Sequence, residues 1–542
     1  MREPPLTDAQ LASLATLGAH PHDPSAAAGV RWIQTHISHV FLTGQRVYKL
    51  RKAVALSFLD FSARAARNAD CVRELALNRR LARDVYLGVA PIRVTKDGAE
   101  VGAVGETLLP GCEHAVVMRR LPDGCDALSL LERGALGAGE IDAVAARMAQ
   151  FHAEHGLGAP APFAAAAWIE RVASPMRGNL AGLREAACAG VIAEREVAQL
   201  AAATEETIVV LGEALERRRR EGRAVDGHGD LHLQHIWFEP VAAGAPQLSL
   251  IDCIEFSDEL RQIDAASEVA FLAMDLAYRG APSLSERFLR KYAAQCDDFG
   301  LYDVVDGFAA YRAAVRAKVA ALAARDGAIA AEQRARAAES VARHVALARE
   351  LLRRAPPAAL IVVCGSVGTG KSTLAEQIAD LGGGAVISSD RTRKALAGLG
   401  PTSRAHARAG APLYEDAMTE RVYAGLLERA EPVVRSGRAA VLDATFARAG
   451  QRAAALRLAS KLGARALLVQ ATCSEPVARE RVAQRAARGG DPSDAGPELV
   501  APSRARFEPP SEWPREAAIE VATDRCAPED TAAALAALVK EA

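Results

Sequence analysis

No apolar run in the 542 residues approaches the roughly 18 needed to cross a bilayer. The opening MREPPLTDAQ also lacks the basic-then-apolar order of a secretory signal, so the sequence predicts a cytoplasmic chain with no membrane partner. There is no C-x-x-C pair. The nine cysteines (71, 112, 125, 188, 253, 296, 364, 473 and 526) are scattered and odd in number, which argues against a disulfide framework or a thiolate zinc cluster and predicts reduced thiols. Net charge is nearly absent: 66 Lys+Arg against 67 Asp+Glu leave −1, so no global field draws a polyanion, and a nucleic-acid partner is unsupported although left open. No repeat of fixed period occurs. Lysine is scarce, nine of the 66 basic residues, so a lysine inside a motif carries information.

What is present is half apolar and a quarter charged, the profile of globular domains, and the length suits two to four folding units. An Arg/Ala-rich helical stretch over about 303–354 stops at Ala355-Pro356-Pro357-Ala358, where an apolar strand-like run, 360–364, begins. The expected organisation is therefore a region 1–354, a linker 355–359 and a region 360–542. Within the first, alternating strands over 30–42 and 47–50 and a helix over 63–83 predict a small mixed lobe (about 25–120). A helical lobe (121–354) follows, helical over 139–222, with a loop at 228–235 and a buried strand at 248–252. The charge run Arg217 to Arg220 reads as a solvated helix end. Beyond 359, strands at 360–364, 385–389, 439–442, 464–471 and 518–522 alternate with helices, which predicts a parallel sheet wrapped by helices.

Gly365-Ser366-Val367-Gly368-Thr369-Gly370-Lys371-Ser372, followed by Thr373, matches G-x-x-x-x-G-K-[ST] and sits between an apolar strand and a helix. Its glycines let backbone N–H groups close around phosphate oxygens. Lys371 reaches the terminal phosphates of ATP and Ser372 holds Mg2+. The second strand of this region ends in Ser388-Ser389-Asp390 with Arg393 following, a carboxylate and a guanidinium at the sheet edge where ligands bind. Asp390 is placed to deprotonate a substrate hydroxyl, and Asp443, ending the third strand, to orient the metal shell, the alternative for each being a helix N-cap. Arg479, Arg481, Arg485 and Arg488 precede the loop 489–494; Arg485 and Arg488 are the candidates for a lid that stabilises transferring phosphoryl charge, against a solvated helix face. On these residues, 358–542 resembles the small P-loop kinases grouped with gluconate kinase, zeta toxins and the phage polynucleotide kinase. The resemblance implies Asp390 as general base and leaves the acceptor open.

His228-Gly229-Asp230-Leu231-His232-Leu233-Gln234-His235 reads as a catalytic loop, with Asp230 accepting the acceptor's proton and Asp252, at the end of a buried strand, holding Mg2+. The three histidines lack a carboxylate partner at helical spacing, so no zinc-type site is expected from them. Lys49 on a strand and Glu74 on the following helix suit an ion pair that positions nucleotide phosphates, with Lys52 an alternative cation. Val116 to Leu121 fills the place of the segment joining the lobes. These residues make 1 to about 350 similar to the aminoglycoside phosphotransferase family, which implies a bilobal protein-kinase-like fold. Two departures stand out: His235 occupies the place of the family's metal-binding Asn, and His36 to Gly44 replaces a G-x-G-x-x-G loop. The fold class expected for the chain is accordingly α+β followed by α/β. The leading functional expectation is a phosphotransferase with two ATP–Mg2+ domains acting on a hydroxyl of a small molecule. The alternatives are a P-loop kinase regulated by a degenerate kinase-like sensor, and a nucleic-acid end kinase.

Overall fold

The computed structural model describes residues 5–56, 59–241, 244–327, 329–353, 355–400, 415–488 and 495–525, with Arg488 described by its backbone alone. It is a mixed α/β protein of two compact units. The first comprises Met1–Val144, Gln150–Ala161 and Gly222–Leu272, the second Ala145–Ala149, Pro162–Glu221 and Ala273–Ala542. The linker expected at 355–359 thus falls inside the second unit. Among the described residues no helix is long and apolar enough to cross a membrane.

The first unit is built on a six-stranded antiparallel sheet in the order Arg31–Gln34, Ser38–Leu42, Arg46–Arg51, Glu113–Arg119, Tyr86–Thr95, Gly98–Val101. The two-residue period sends Tyr48, Leu50, Ala115 and Val117 to one core. Val47, Val116 and Met118 go to the other, beneath the helix Arg64–Asn78. Lys49 and Arg51 share the parity of Val47 and so face that helix. The helix turns Arg67, Cys71, Glu74 and Asn78 inward at spacings of three and four, which lines up polar groups along its buried stripe. The segment Val116–Leu121, expected to join the lobes, is largely a central strand: Val116 to Arg119 pair with Lys49 to Arg46, and only Arg120 and Leu121 lie beyond it. The strands 86–95 and 98–101 had no counterpart in the sequence reading.

The second unit carries the five-stranded all-parallel sheet, in the order Ala385–Ser388, Ala440–Asp443, Ala359–Cys364, Arg465–Thr472, Ala518–Ala522. Helices Lys371–Gly382, Ser389–Leu396, Asp416–Arg435, Ala449–Leu462 and Glu475–Arg488 belong to it. Ala359–Cys364 is buried along its whole length, as a central parallel strand must be. The same unit holds helices Ala165–Cys188, Glu194–Arg220, Pro282–Cys296, Val305–Arg325 and Ala331–Leu351. Glu194–Arg220 buries Val197, Leu200, Thr204, Ile208, Leu211, Leu215 and Arg218, a run at helical period. That last position corrects the expectation of a solvated Arg217–Arg220 run: Arg218 is fully buried and forks onto both oxygens of Asp298 at 2.7 and 2.9 Å. A charge run defaults to solvent only when no carboxylate is folded over it.

Ion pairs knit the helical segment 286–306 to the P-loop sheet's own helices within this unit. Arg438 grips Glu286 (2.7 and 3.0 Å) and Asp306 (2.8 and 2.9 Å). Arg287 (2.9 Å) and Arg290 bind Asp380, Lys291 binds Glu376 at 2.9 Å, and Arg429 forks onto Asp297.

Candidate functional site

The P-loop follows the central strand at the carboxyl edge of the parallel sheet. Gly365 admits no side chain: a Cβ there would lie 2.3 Å from the Ala471 carbonyl oxygen. Gly368 combines φ +84° with a Cβ position 2.6 Å from the Ala478 carbonyl oxygen. These demands force the loop into the tight cradle whose free N–H groups suit phosphate oxygens, and Gly370 then caps the helix that begins at Lys371. Lys371 Nζ donates to the Ser366 carbonyl at 2.9 Å, an oxygen that the Thr369 hydroxyl also bonds at 2.9 Å. The Val367 N–H is held by Ser503 Oγ at 3.0 Å.

Asp443, at the end of its strand, lies near the Ser372 hydroxyl. Burial, with Asp390 and Glu376 nearby, outweighs Lys371 and Ser372 and pushes its carboxyl up to about 6. Lys371 is displaced the other way, its ammonium lowered by burial although Asp443 and Asp390 oppose the shift. Asp390, Asp443 and Arg485 thus lie within electrostatic range of Lys371, and Ser372 and Asp390 near Asp443. Asp390 lies in the first turn of the helix Ser389–Leu396, and Arg393 is buried on the same helix.

The four lid candidates separate. Arg479 pairs with Glu475 on its own helix. Arg481 donates to Thr523 Oγ1 (2.7 Å) and the Thr523 carbonyl (2.9 Å), while Thr523 Oγ1 donates to the Thr369 carbonyl at 2.8 Å. Arg481 is therefore a strut beneath the P-loop. Arg485 faces Lys371 electrostatically, whereas the Arg488 side chain and the loop 489–494 lie outside the described residues. Tyr423, not singled out by the sequence, joins the site. Its hydroxyl meets Thr445 Oγ1 and accepts from the Phe446 N–H, both at 3.0 Å, and Asp390 and Arg393 both influence it. No local pattern marks it, because its partners come from another strand end.

The first unit assembles a second polar centre. Lys49 Nζ bonds Glu74 Oε1 at 3.0 Å and Asp252 Oδ1 at 2.7 Å, so Lys49, not Lys52, takes the paired position. Burial alone would lower this ammonium, but Asp252 and Glu74 together raise it. Arg51, two residues on, grips Asp70 and Glu74 at 2.5 Å each and also Glu255. Glu255 is raised to about 8 by burial and the neighbouring Glu74, against the pull of Arg51. Asp252 sits at φ +62° with its N–H on the Tyr86 hydroxyl (3.1 Å), and Cys253 N–H is held by Asn78 Oδ1 (2.8 Å).

The His-Gly-Asp loop is fixed from beneath by Glu268, which accepts from the N–H groups of His228 (2.5 Å) and Gly229 (3.0 Å). His228 Nε2 bonds the Ile251 carbonyl at 2.8 Å, and burial with the neighbouring His235 lowers its ring to about 3, so it is neutral. Asp230 and Asp252 are both held well below the usual carboxylate range. Burial opposes this in each, but the histidines prevail at Asp230, and Lys49 with His235 prevail at Asp252. His235 lies 3.5 Å from Asp252 and 3.6 Å from Asp230. The residues expected at this centre, Lys49, Glu74, Asp230, His235 and Asp252, are thus brought together. Arg51, Glu255 and Glu268 were missed; only the two-residue strand period shared by Lys49 and Arg51 signalled the first.

Residues 360–510 match the model of the AAA domain family. A gluconokinase from Sinorhizobium meliloti 1021 is similar over 35% of this chain and 97% of its own, at 22% identity and a TM-score of 0.25. A choline kinase from Cryptosporidium parvum Iowa II is similar over 63% and 95%, at 11% identity and a TM-score of 0.39. An uncharacterized protein of Mycobacterium tuberculosis strain H37Rv is 33% identical over 491 residues, and one of Mycobacterium bovis matches equally. Because that match spans 91% of this chain and 92% of the relative, the chain belongs to the family of these mycobacterial proteins.

Proposed function

We propose that the chain is an ATP-dependent phosphotransferase with two nucleotide-binding centres, the P-loop centre moving the γ-phosphoryl of ATP to a hydroxyl of a small molecule. The observation that carries this reading is the convergence of Lys371, Ser372, Asp390, Asp443 and Arg485 at the carboxyl edge of the parallel sheet. A mechanical ATPase needs no carboxylate at the position of Asp390. Here Asp390 accepts the acceptor's proton as its oxygen attacks phosphorus, the bond to the ADP oxygen breaks, and Lys371 and Arg485 neutralise the charge that leaves with ADP. Ser372 and Asp443 supply the oxygen donors that Mg2+ requires, and the ion when bound draws charge from the phosphate oxygens.

In the first unit Lys49, positioned by Glu74, is placed for nucleotide phosphates, Asp252 for their metal, and Asp230 for an acceptor hydroxyl. A second reading, a degenerate kinase-like sensor that has given up ATP and regulates the P-loop centre through a metabolite, is favoured by His235, whose ring lies between Asp230 and Asp252. Calorimetric titration of ATP–Mg2+ tests both. Two sites in the wild type, falling to one in Lys371→Ala, support the two-centre reading; a single site that vanishes supports the regulator. Asp390→Asn is expected to bind ATP normally and lose transfer to a panel of sugar and nucleoside acceptors by roughly 10²- to 10⁴-fold. Transfer retained in both variants would overturn the assignment.

A further inference from the structure

The donor atoms of Asp230, His232 and His235 all lie within 4.8 Å of one another, although the sequence spacing gave no reason to expect a metal there. Hydrogen bonds sort the two imidazoles into different roles. His232 Nδ1 accepts from the Gln234 N–H at 3.3 Å, which places the ring proton on Nε2, and Nε2 faces Asp230 Oδ2 at 3.6 Å. That ring steadies the Asp230 carboxylate. His235 is arranged in the opposite sense: its Nδ1 lies 2.9 Å from the Asp230 carbonyl oxygen, which can only accept, so Nδ1 carries a proton and, in the neutral ring, Nε2 keeps a lone pair.

The Nε2 lone pair faces Asp252 Oδ2 across 3.5 Å. Two acceptors opposed at this range repel unless a proton or a metal cation lies between them. The gap is also the one that two neighbouring ligands span on a tetrahedral ion with bonds of about 2.1 Å, roughly 3.4 Å. Both partners are held in place. His235 lies against His232 with centroids 3.8 Å apart and the rings tilted by 38°, and the other oxygen of Asp252 is fixed by Lys49 at 2.7 Å. The gap is reachable, since Asp252 is 44% exposed and His235 15%.

We infer that His235 Nε2 and Asp252 Oδ2 form the protein side of a divalent-cation site that prefers a borderline transition ion, Co2+ or Zn2+, to Mg2+. The inference rests on the reading of Asp252 as the carboxylate for a phosphate-bound metal, and it names the class of ion. Mg2+ takes hard oxygen donors and keeps its waters, whereas imidazole nitrogen suits the later first-row ions.

The test loads the full chain with Mn2+ alone and records electron spin-echo modulation, in which a directly ligated imidazole imprints its 14N frequencies. Ser372 and Asp443 at the P-loop offer only oxygen, so a 14N imprint comes from a histidine, and its loss in His235→Asn assigns it to this site. The expected result is 14N coupling in the wild type that is replaced by the 15N pattern when only histidine is labelled, a comparison that needs no variant to fold. In His235→Asn the coupling is lost, and the Co2+ to Mg2+ affinity ratio falls at least about tenfold. Absence of coupling in the wild type, or coupling that persists in His235→Asn, overturns the inference, as does an 15N spectrum showing His235 as an imidazolium with no ion bound. The underlying reading fails separately: coupling without ATP binding to this unit removes the kinase role and leaves the metal site, and ATP binding without coupling does the reverse.

Discussion

Replacing Arg438 with Met should destabilise the second unit far more than an ordinary surface change. Its guanidinium is 14% exposed and makes four bonds of 2.7–3.0 Å to Glu286 and Asp306, which are 25% and 29% exposed, and it lies over the Tyr302 ring. Breaking a fully buried pair by removing one partner costs about 3–5 kcal/mol, and an exposed pair about 1 or less. With two partly sheltered carboxylates left facing each other, the expected loss is about 3 kcal/mol. For a unit this large that is roughly a 6 °C fall in Tm, at about 2 °C per kcal/mol. Urea unfolding resolved by transition reads the change, which should leave the first unit's transition in place. Adding Glu286→Gln and Asp306→Asn to Arg438→Met removes the stranded charges and should restore at least half of the loss. A loss under about 1 kcal/mol, or a triple variant no more stable than the single one, would refute the claim that this fork ties the helical segment to the P-loop sheet.

Other outcomes follow from the same geometry. Arg481→Ala removes the strut to Thr523 and, through it, to the Thr369 carbonyl, so KM for ATP should rise about tenfold with kcat much less affected and helix content by circular dichroism unchanged. Lys49→Arg keeps the charge but cannot place one point donor between Glu74 and Asp252; calorimetry should show ATP binding by the first unit as weak as in Lys49→Met. His344, buried and stacked on Tyr278 at 3.7 Å, is lowered to about 4 by burial. The unfolded chain, titrating near 6.5, binds the extra proton first. Stability from this group is therefore full above about 6.5 and is lost as pH falls toward 4, by about 2–3 kcal/mol, and His344→Phe should flatten that part of the urea-midpoint profile relative to wild type.

The parts of the site legible in the sequence were those carried by contiguous residues in a fixed local frame. The P-loop is eight successive residues between a strand and a helix; Asp443 ends a parallel strand and Asp390 sits in the first helical turn just after the adjacent one, so topology alone brings them to one edge. Lys49, Glu74 and Asp252 are farther apart in sequence and were read from a strand, the helix after it and a buried strand end; hydrogen bonds join the three in the fold. Tyr423, Thr523 and Glu268 were invisible because each acts on a backbone or hydroxyl group of a distant segment, and nothing in their own neighbourhoods is unusual. Arg218 was misread for the same reason, since its partner Asp298 lies 80 positions on. The compact units likewise cut the chain where tertiary packing decides. Pro356-Pro357 ends a helix, which a sequence displays, whereas the ion pairs that bind residues 286–306 to the sheet beyond it do not show until the chain is folded.

The scarcity of lysine then acquires a structural meaning. Arg51, Arg218, Arg438 and Arg452 are buried guanidiniums, each gripping one or more carboxylates through its planar fork, and Arg452 also holds the Phe446 carbonyl at 2.7 Å. A guanidinium suits this work because it stays charged when buried and satisfies several acceptors at fixed angles. It is poorly suited to a site whose occupant must arrive and leave, where a single mobile donor has to exchange a resting acceptor for a phosphate oxygen. Lys371 rests on the Ser366 carbonyl and Lys49 on Glu74 and Asp252; in the proposed function phosphate oxygens replace the Ser366 carbonyl at Lys371 and the Asp252 carboxylate at Lys49, while Glu74 keeps Lys49 in position. In a chain that uses arginine for its permanent internal ion pairs, the two lysines at the two polar centres mark the places where the cation has to move.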